Sequence, residues 1–568
     1  MNKEEFIMKK YFVNIFAIVA TLLVLSSCIK EVFPQTNRAS KEQVAEAPGS
    51  FDLMVSSITS TLVGLFSYGG NDDKDANDFG LPTFYLVRDV MGQDISYMAN
   101  NGWWGAWYQA TGLGPSTGSS QLPWTYYYGW IKSCNDVLSL LPAEGEIPDN
   151  MKIGAGIAHA MRAYFYLDLA QMYAVKTYTT DKESLTVPIV DEKTTPEIAT
   201  HNPRATNEKM FEFILNDLNE AETLLKGYTR SDVYTPDESV VYGLKARVYL
   251  LMGKWAEAAD YARKAKAGYT IMDEAAYTDW ETGFNTPNSS WMLGTTYKAD
   301  DPNILLNDAD SSWGSMMCIE INPETSGCGY AANYGDPFMI DRHLYETIPA
   351  TDFRKKCYVD FAINDMEEEE KLEALSAYTK HPDWILVTGA AIKQYENVGG
   401  LNFKFRTAGG DAGRDNQYIG FVVAVPMMRV EEMVLIEAEA EGRQNEAKGI
   451  ELLTNFAKTR DASYVYGQHN EAYGNKSTSA FLNEVWWQRR VEFWGEGMAT
   501  FDIKRLEKGI IRSYPGSNHA PNYHYNSDTT PQWMSLCIVQ TETNYNFDCT
   551  NNPEPVQPEG DSPEVETF

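Results

Sequence analysis

The chain has 568 residues, enough for one large core or several smaller ones. A formal net charge of -32 argues against nucleic acid as a partner and against membrane attachment through a basic patch. With 14 Trp and 34 Tyr the chain is unusually rich in rings, which points to recognition of something flat and partly apolar.

At the N-terminus, Lys9 and Lys10 precede an apolar run from Tyr11 to Leu25 that closes with Ser26, Ser27 and Cys28. The run is shorter than the roughly 20 residues a spanning helix needs, and its layout is that of a secretory signal peptide over residues 1–27. Met8 is an alternative start, since Met8-Lys9-Lys10 is a more usual signal opening than Glu4-Glu5. Leu25-Ser26-Ser27-Cys28 resembles the lipobox of bacterial lipoproteins, so the mature protein is expected to begin at an acylated Cys28. Residues 28–48 are polar and aperiodic and read as a tether.

The body, residues 49–550, reads as one mainly α domain built of tetratricopeptide-like helical hairpins, with loop-rich insertions at about 69–124 and 270–425 and a few short strands. Helices are expected at Ser50–Phe66, Ile153–Tyr173 and Glu208–Leu225, the last started by Thr206 or Asn207. Ser239–Met252 and Trp255–Ala267 form a hairpin broken at Gly253, with Ala246, Tyr249, Gly253, Trp255, Ala258, Ala262 and Ala265 on the small/large spacing of a repeat. A weaker second copy spans Glu431–Lys458. Trp124, Tyr126, Tyr127, Tyr128 and Trp130 read as a helix packed on the repeats. Strands are expected at Ser290–Tyr297 and Ile419–Val425, and helix again at Phe481–Leu506. Residues 551–568 are Pro/Glu-rich and read as a disordered tail.

Catalytic motifs are weak. Gly114-Pro115-Ser116-Thr117-Gly118 matches G-x-S-x-G, but no apolar strand precedes it. Arg489, Arg490, Glu492, Glu496 and Asp502 read as ion pairs locking the last helix rather than as an acid/base pair. No metal motif or cofactor is expected; Asp73-x-Asp75-x-Asn77 could hold a loose calcium ion, yet Asp78 stands where a calcium loop needs Gly. Beyond Cys28 there are six cysteines, with Cys318 and Cys328, and Cys537 and Cys549, nearest in sequence; bridges and free thiols are both open.

Four stretches together resemble the SusD/RagB family of outer-membrane nutrient-binding lipoproteins. They are the Cys28 junction; Arg162-Ala-Tyr-Phe-Tyr-Leu-Asp-Leu-Ala-Gln-Met-Tyr173; Val240 to Leu250 with the Gly253-Lys-Trp turn; and Gln488-Arg-Arg-Val-Glu-Phe-Trp-Gly-Glu-Gly running on to Arg505. The resemblance implies a SusD-like fold, no enzymatic activity, and a lipid-anchored protein at the outer membrane. It also implies a partner, a SusC-like TonB-dependent transporter, to which oligosaccharide or polysaccharide, or in some branches peptide, is delivered. Family resemblance implies the outward leaflet, although Ile29-Lys30-Glu31 is less acidic than the run often linked to surface display.

A sugar ring has an apolar face and a hydroxyl rim, so its site needs flat rings beside planar polar groups. Two clusters offer both. Asn100, Asn101, Trp103, Trp104, Trp107 and Tyr108 follow the first helix, where the family places ring and amide. Asp308, Asp310, Trp313 and Tyr330, with Tyr334, follow the first expected strand; small polar neighbours of Trp313 argue that it is exposed. The competing class, a secreted glycoside hydrolase, has carboxylates but no pair the sequence singles out.

Overall fold

The computed structural model describes residues 47–64, 75–97, 102–335, 337–387, 397–471, 478–558, 560–566 and 568. The leader, Cys28, the tether to residue 46, Asp73, Asn100 and Asn101 lie outside these. The chain divides into a unit ending at Phe51 and a second, Asp52–Phe568, which contains the packing described below.

In chain order the main elements are α1 (Ser50–Ser60), α2 (Leu81–Val90), β1 (Ile95–Tyr97), α3 (Gly118–Leu138), α4 (Asp149–Tyr173), β2 (Leu185–Pro188), β3 (Arg204–Thr206), α5 (Asn207–Leu224), α6 (Glu238–Leu251) and α7 (Trp255–Ala265). β4 (Trp291–Thr296), β5 (Phe338–Ile340), β6 (Ala424–Arg429), α8 (Val430–Gln444), α9 (Glu446–Ala457), α10 (Ala480–Glu492), α11 (Ala499–Arg505), β7 (Ile510–Ile511) and β8 (Asn526–Ser527) follow. Several short helical turns lie between β4 and β6.

From α3 to α10 each helix packs against the next, so the repeats form one continuous layer. Thr206 caps α5, its hydroxyl accepting from the Lys209 amide at 3.3 Å. Gly253 ends the α6 turn at φ +70, a conformation that costs a residue with a Cβ. Where α8 meets α9 the approach is closer still: a Cβ on Gly449 would lie 2.3 Å from the Gly442 Cα and 2.6 Å from the Phe481 ring. Both hairpins expected from the sequence are therefore present, held together by small residues.

Four two-stranded antiparallel sheets tie distant segments together: β1 with β5, β2 with β3, β4 with β6, and β7 with β8. The β4–β6 pair sets Trp291 opposite Arg429 and Thr296 opposite Ala424, closing the long interruption.

Several boundaries differ from expectation. The 69–124 insertion contains α2, and all ten α2 residues are buried; Gly80 before it offers no side-chain cap, so a usual helix start signal is missing. α3 begins at Gly118 and carries Pro123 inside it. β6 starts at Ala424 rather than Ile419, because Asn416 caps a helical turn over Gln417–Gly420 first. Pro426 is tolerated within β6 because the sheet has only two strands. The expected helix 481–506 is two helices, separated at Gly495 and Gly497, which stand at φ +76 and +75.

The tail is not free. Asn552 donates from Nδ2 to the carbonyls of Tyr173 and Leu536, both at 2.7 Å. Further on, the Ser562 and Val565 amides bond the carbonyls of His524 and Ser513. Amide and backbone hydrogen bonds hold an extended segment that composition alone marks as unable to fold.

The six described cysteines are buried and unbridged. Burial pushes the Cys328 and Cys537 thiols up to about 11 and Cys357 and Cys549 to about 12.

Beneath the loop-rich half lies a buried ion network. Glu492 meets Arg429 at 3.0 Å, Arg460 at 3.0 Å and Arg354 at 3.2 Å. Arg429 reaches Glu496 at 2.8 Å, and Lys404 reaches it at 2.7 Å. Arg489 binds Asp502 at 2.7 Å, and Arg490 binds Asp94 and Glu471, each at 2.6 Å. Burial would raise the Glu492 carboxyl, yet Arg460, Arg429 and Arg354 hold it well below the usual range. The five expected charges all form ion pairs, but only Arg489 and Asp502 pair with each other; the others tie the last helices to remote segments.

Candidate ligand-binding surface

The first ring cluster splits in two. Trp103, 38% exposed, is on the surface, and its carbonyl accepts from Asn77 Nδ2 at 3.2 Å. Trp104, Trp107 and Tyr108 are buried. Trp104 packs edge-on against Phe79 and Phe338, with centroids 5.9 and 5.8 Å away, and tilted against Trp107 at 5.9 Å. The Tyr108 hydroxyl bonds His519 Nδ1 at 2.8 Å, and the Arg512 guanidinium covers its ring at 4.5 Å. The short helix Gly105–Tyr108 turns these three side chains inward, so they support the loop rather than offer stacking faces.

Trp313 is also a correction. It is 1% exposed and packs edge-on against Tyr85 at 6.2 Å and Phe405 at 5.2 Å. Its small polar neighbours are themselves buried. The Ser312 hydroxyl accepts from the Ser315 amide at 3.2 Å, capping the turn Trp313–Met317, and Ser311 Oγ donates to the Asp75 carbonyl at 3.2 Å. Their polarity serves the backbone, not solvent.

The remaining residues of the second cluster do come together. Asp308 is exposed, at φ 55 in a 3-10 turn. It accepts from the hydroxyl of Tyr418 at 3.1 Å. Asp310 is buried and accepts from the Gly329 amide at 2.9 Å and from Ser315 Oγ at 3.1 Å. Burial, with the nearby Asp308 charge adding to it, raises Asp310 to about 6. The Tyr330 and Tyr334 rings lie 4.9 Å apart; Tyr334 is 48% exposed and Tyr330 half-buried.

Tyr418 is a residue that sequence reasoning misses. At 39% exposed, with Ile419 beside it, it stands on the turn Gln417–Gly420, which overlaps the start of the expected strand. Asn416 before it and Gly420 after it are the cap and stop signals that could have revealed the turn.

The segment 75–79 joins the two clusters. Asn77 bonds the Trp103 carbonyl, Ser311 bonds the Asp75 carbonyl, and the Tyr297 hydroxyl, just after β4, bonds the Phe79 carbonyl at 3.0 Å. Loops from four parts of the chain thus carry exposed Trp103, Tyr334 and Tyr418 with exposed Asp308. Such an arrangement can stack against apolar ring faces, each contact worth about 0.5–1.5 kcal/mol, and accept hydrogen bonds from hydroxyls. Among the described residues no group of His, Cys, Asp and Glu is arranged to hold a metal ion, and no helix is long and apolar enough to cross a membrane.

Comparison with known proteins places this architecture. A SusD-like family model, described as starch-binding associating with outer membrane, matches residues 85–250. The SusD family model matches residues 263–554, more than half of the chain. A SusD-like carbohydrate-binding protein from Bacteroides vulgatus superposes with a TM-score of 0.67 at 21% identity, over 88% of this chain and 97% of that one. Surface glycan-binding protein A from Bacteroides thetaiotaomicron, solved with laminarihexaose, gives 0.63 at 18% identity, over 88% and 98%. A laminarin-binding SusD-like protein gives 0.58 at 17%, over 89% and 98%. No curated protein matches the chain in sequence. With its mainly helical fold and the family model spanning β4 through α11, the chain belongs to the SusD family.

Proposed function

We propose that the protein is a non-catalytic lipoprotein of the outer membrane, anchored through Cys28, that captures oligosaccharide at the cell surface and passes it to a SusC-like TonB-dependent transporter. The observation that carries this reading is the exposure of Trp103, Tyr334 and Tyr418 on loops linked through residues 75–79, with Asp308 beside Tyr418. Rings of this kind stack on sugars, and the carboxylate accepts hydrogen bonds from hydroxyls. Family relatives solved with laminarihexaose or described as laminarin-binding support a glycan over a peptide. A hydrolytic role has less support, because the buried carboxylates Glu492 and Glu496 are neutralised by Arg and Lys side chains.

Isothermal titration against a panel of polysaccharides and peptides tests the ligand. Heat with a glycan and none with peptides is expected; the reverse replaces glycan with peptide, and steady hydrolysis of any glycan overturns the non-catalytic reading. Co-purification with a large outer-membrane barrel, and loss of membrane attachment in Cys28→Ala, test the partner and the anchor.

A further inference from the structure

The other face of β5 borders a cleft of about 710 Å³, within the range of small-ligand sites. Met339, the middle residue of the strand, lines it. Phe338 turns the opposite way, stacked on Tyr97 at 5.1 Å and edge-on to Trp104 at 5.8 Å. Successive side chains of a strand point to opposite faces, so Phe338 packs on the buried rings while Met339 faces the cleft.

Three polar side chains line the cleft with hydrogen-bonding capacity to spare. Arg342 lies over the Phe361 ring at 5.5 Å and donates from Nε to Glu346 at 2.8 Å; its Nη1 and Nη2 have no hydrogen-bond partner among the described residues. Asn364 is fixed by the Val398 and Gly399 amides, each donating to Oδ1 at 2.9 Å, and its Nδ2 has no partner among the described residues. Asp360 accepts from the Tyr345 hydroxyl at 2.8 Å and from the Ala362 amide at 2.9 Å, and its carboxylate is exposed with lone pairs remaining.

Charge narrows the ligand. Arg342 and Lys355 face Glu346, Asp360 and Asp365, so the lining is close to balanced and slightly acidic. Lys355 is already engaged: Nζ donates to the Ile348 carbonyl at 2.7 Å and lies 4.3 Å from the Tyr345 ring centroid. Neither a polyanion nor a strong cation is favoured. Donors and acceptors set around the apolar surface of Met339 and Phe361 suit a molecule that both donates and accepts, with an apolar face between.

We propose that this cleft is a second saccharide site, taking a neutral, hydroxyl-rich sugar unit, with Arg342 and Asn364 donating to it and Asp360 accepting from it. The inference rests on the glycan reading above and extends it to a second site, none of whose lining residues belongs to the first.

The test is isothermal titration of the full chain with laminarihexaose, maltohexaose, xylohexaose, mannohexaose and a galacturonate hexamer. Two binding events are expected with a neutral hexasaccharide. The double variant Trp103→Ala/Tyr334→Ala keeps one of them, and Arg342→Ala/Asn364→Asp weakens that one about tenfold or more. Asn364→Asp retains the oxygen that receives the two backbone amides. Ala362→Trp, at an exposed position on the cleft wall, fills the space while leaving those side chains intact, and loses the same event with an unchanged melting temperature. A single event, removed by the ring variants and untouched by both cleft variants, overturns the second site while the glycan reading stands. Absence of heat with every sugar overturns both. Tighter binding of the galacturonate hexamer, lost in Arg342→Ala, overturns the neutral class.

Discussion

The helical layer and the loop-built surface obey different rules. In α4 to α9 a residue's role follows from its spacing: small residues sit where helices touch, and rings fill the grooves. On the surface made by residues 75–79, 102–104, 307–334 and 417–420, role follows from which way a short turn points its side chains. Trp103 and Trp104 are adjacent, yet one is 38% exposed and the other 1%. A scaffold defined by period tolerates sequence drift as long as the period survives; a surface defined by turns can be rebuilt residue by residue without disturbing the scaffold.

The strongest challenge to that division is a charge between the two regions. Glu492→Ala leaves Arg354, Arg429 and Arg460 short of a buried partner, and a loss of about 3–5 kcal/mol is expected in denaturant unfolding. The contribution of Glu492 is present above the ordinary carboxylate range and is lost as pH falls through its depressed value. A change under about 1 kcal/mol, the scale of an exposed pair, would make the network dispensable.

Within the layer, Gly449→Val forces a side chain into the 2.3 Å approach to Gly442, and a loss of about 1–3 kcal/mol is expected. Ligand affinity should not move. If affinity falls with stability, the two regions are coupled and the comparison fails.

On the surface, Trp103→Ala should lower glycan affinity about tenfold, at the upper end of one stacking contact, with no change in melting temperature. The bond to Asn77 uses the Trp103 carbonyl and survives the substitution.

A pH-dependent effect concerns Asp310. Its value is raised from 3.8 to about 6, so the folded state holds its proton more tightly than the unfolded chain. Stability from this group is present below about pH 4 and is lost as pH rises through about 6, by up to about 3 kcal/mol. Asp310→Asn keeps an oxygen that can accept from the Gly329 amide but no longer titrates, so it should flatten this part of the pH profile. An unchanged profile would assign the slope to other groups.

Period explains what could be read in advance. The hairpin at Gly253 and the Thr206 cap follow from local spacing, whereas of the charges Arg489, Arg490, Glu492, Glu496 and Asp502 only Arg489 and Asp502 pair with each other and the rest find remote partners. α2 follows Gly80, which has no side chain to cap it, so a usual helix start signal is missing. Trp313 misled because Ser311 and Ser312 commit their hydroxyls to backbone groups, and Tyr418 was hidden beside an apolar run that a turn, not a strand, begins. In α2, Trp313 and Tyr418 alike, the deciding partners include groups remote in the chain, where spacing carries no information.

The six buried thiols have a consequence for handling the protein. In the folded state burial keeps them protonated and unbridged, so these thiols resist oxidation and exchange. Unfolding returns each to an ordinary thiol of pKa about 8.5, with Cys318 and Cys328, and Cys537 and Cys549, close along the chain. Heating in air above neutral pH then lets wrong disulfides form, and recovery on cooling should require a reductant that the intact fold never needs.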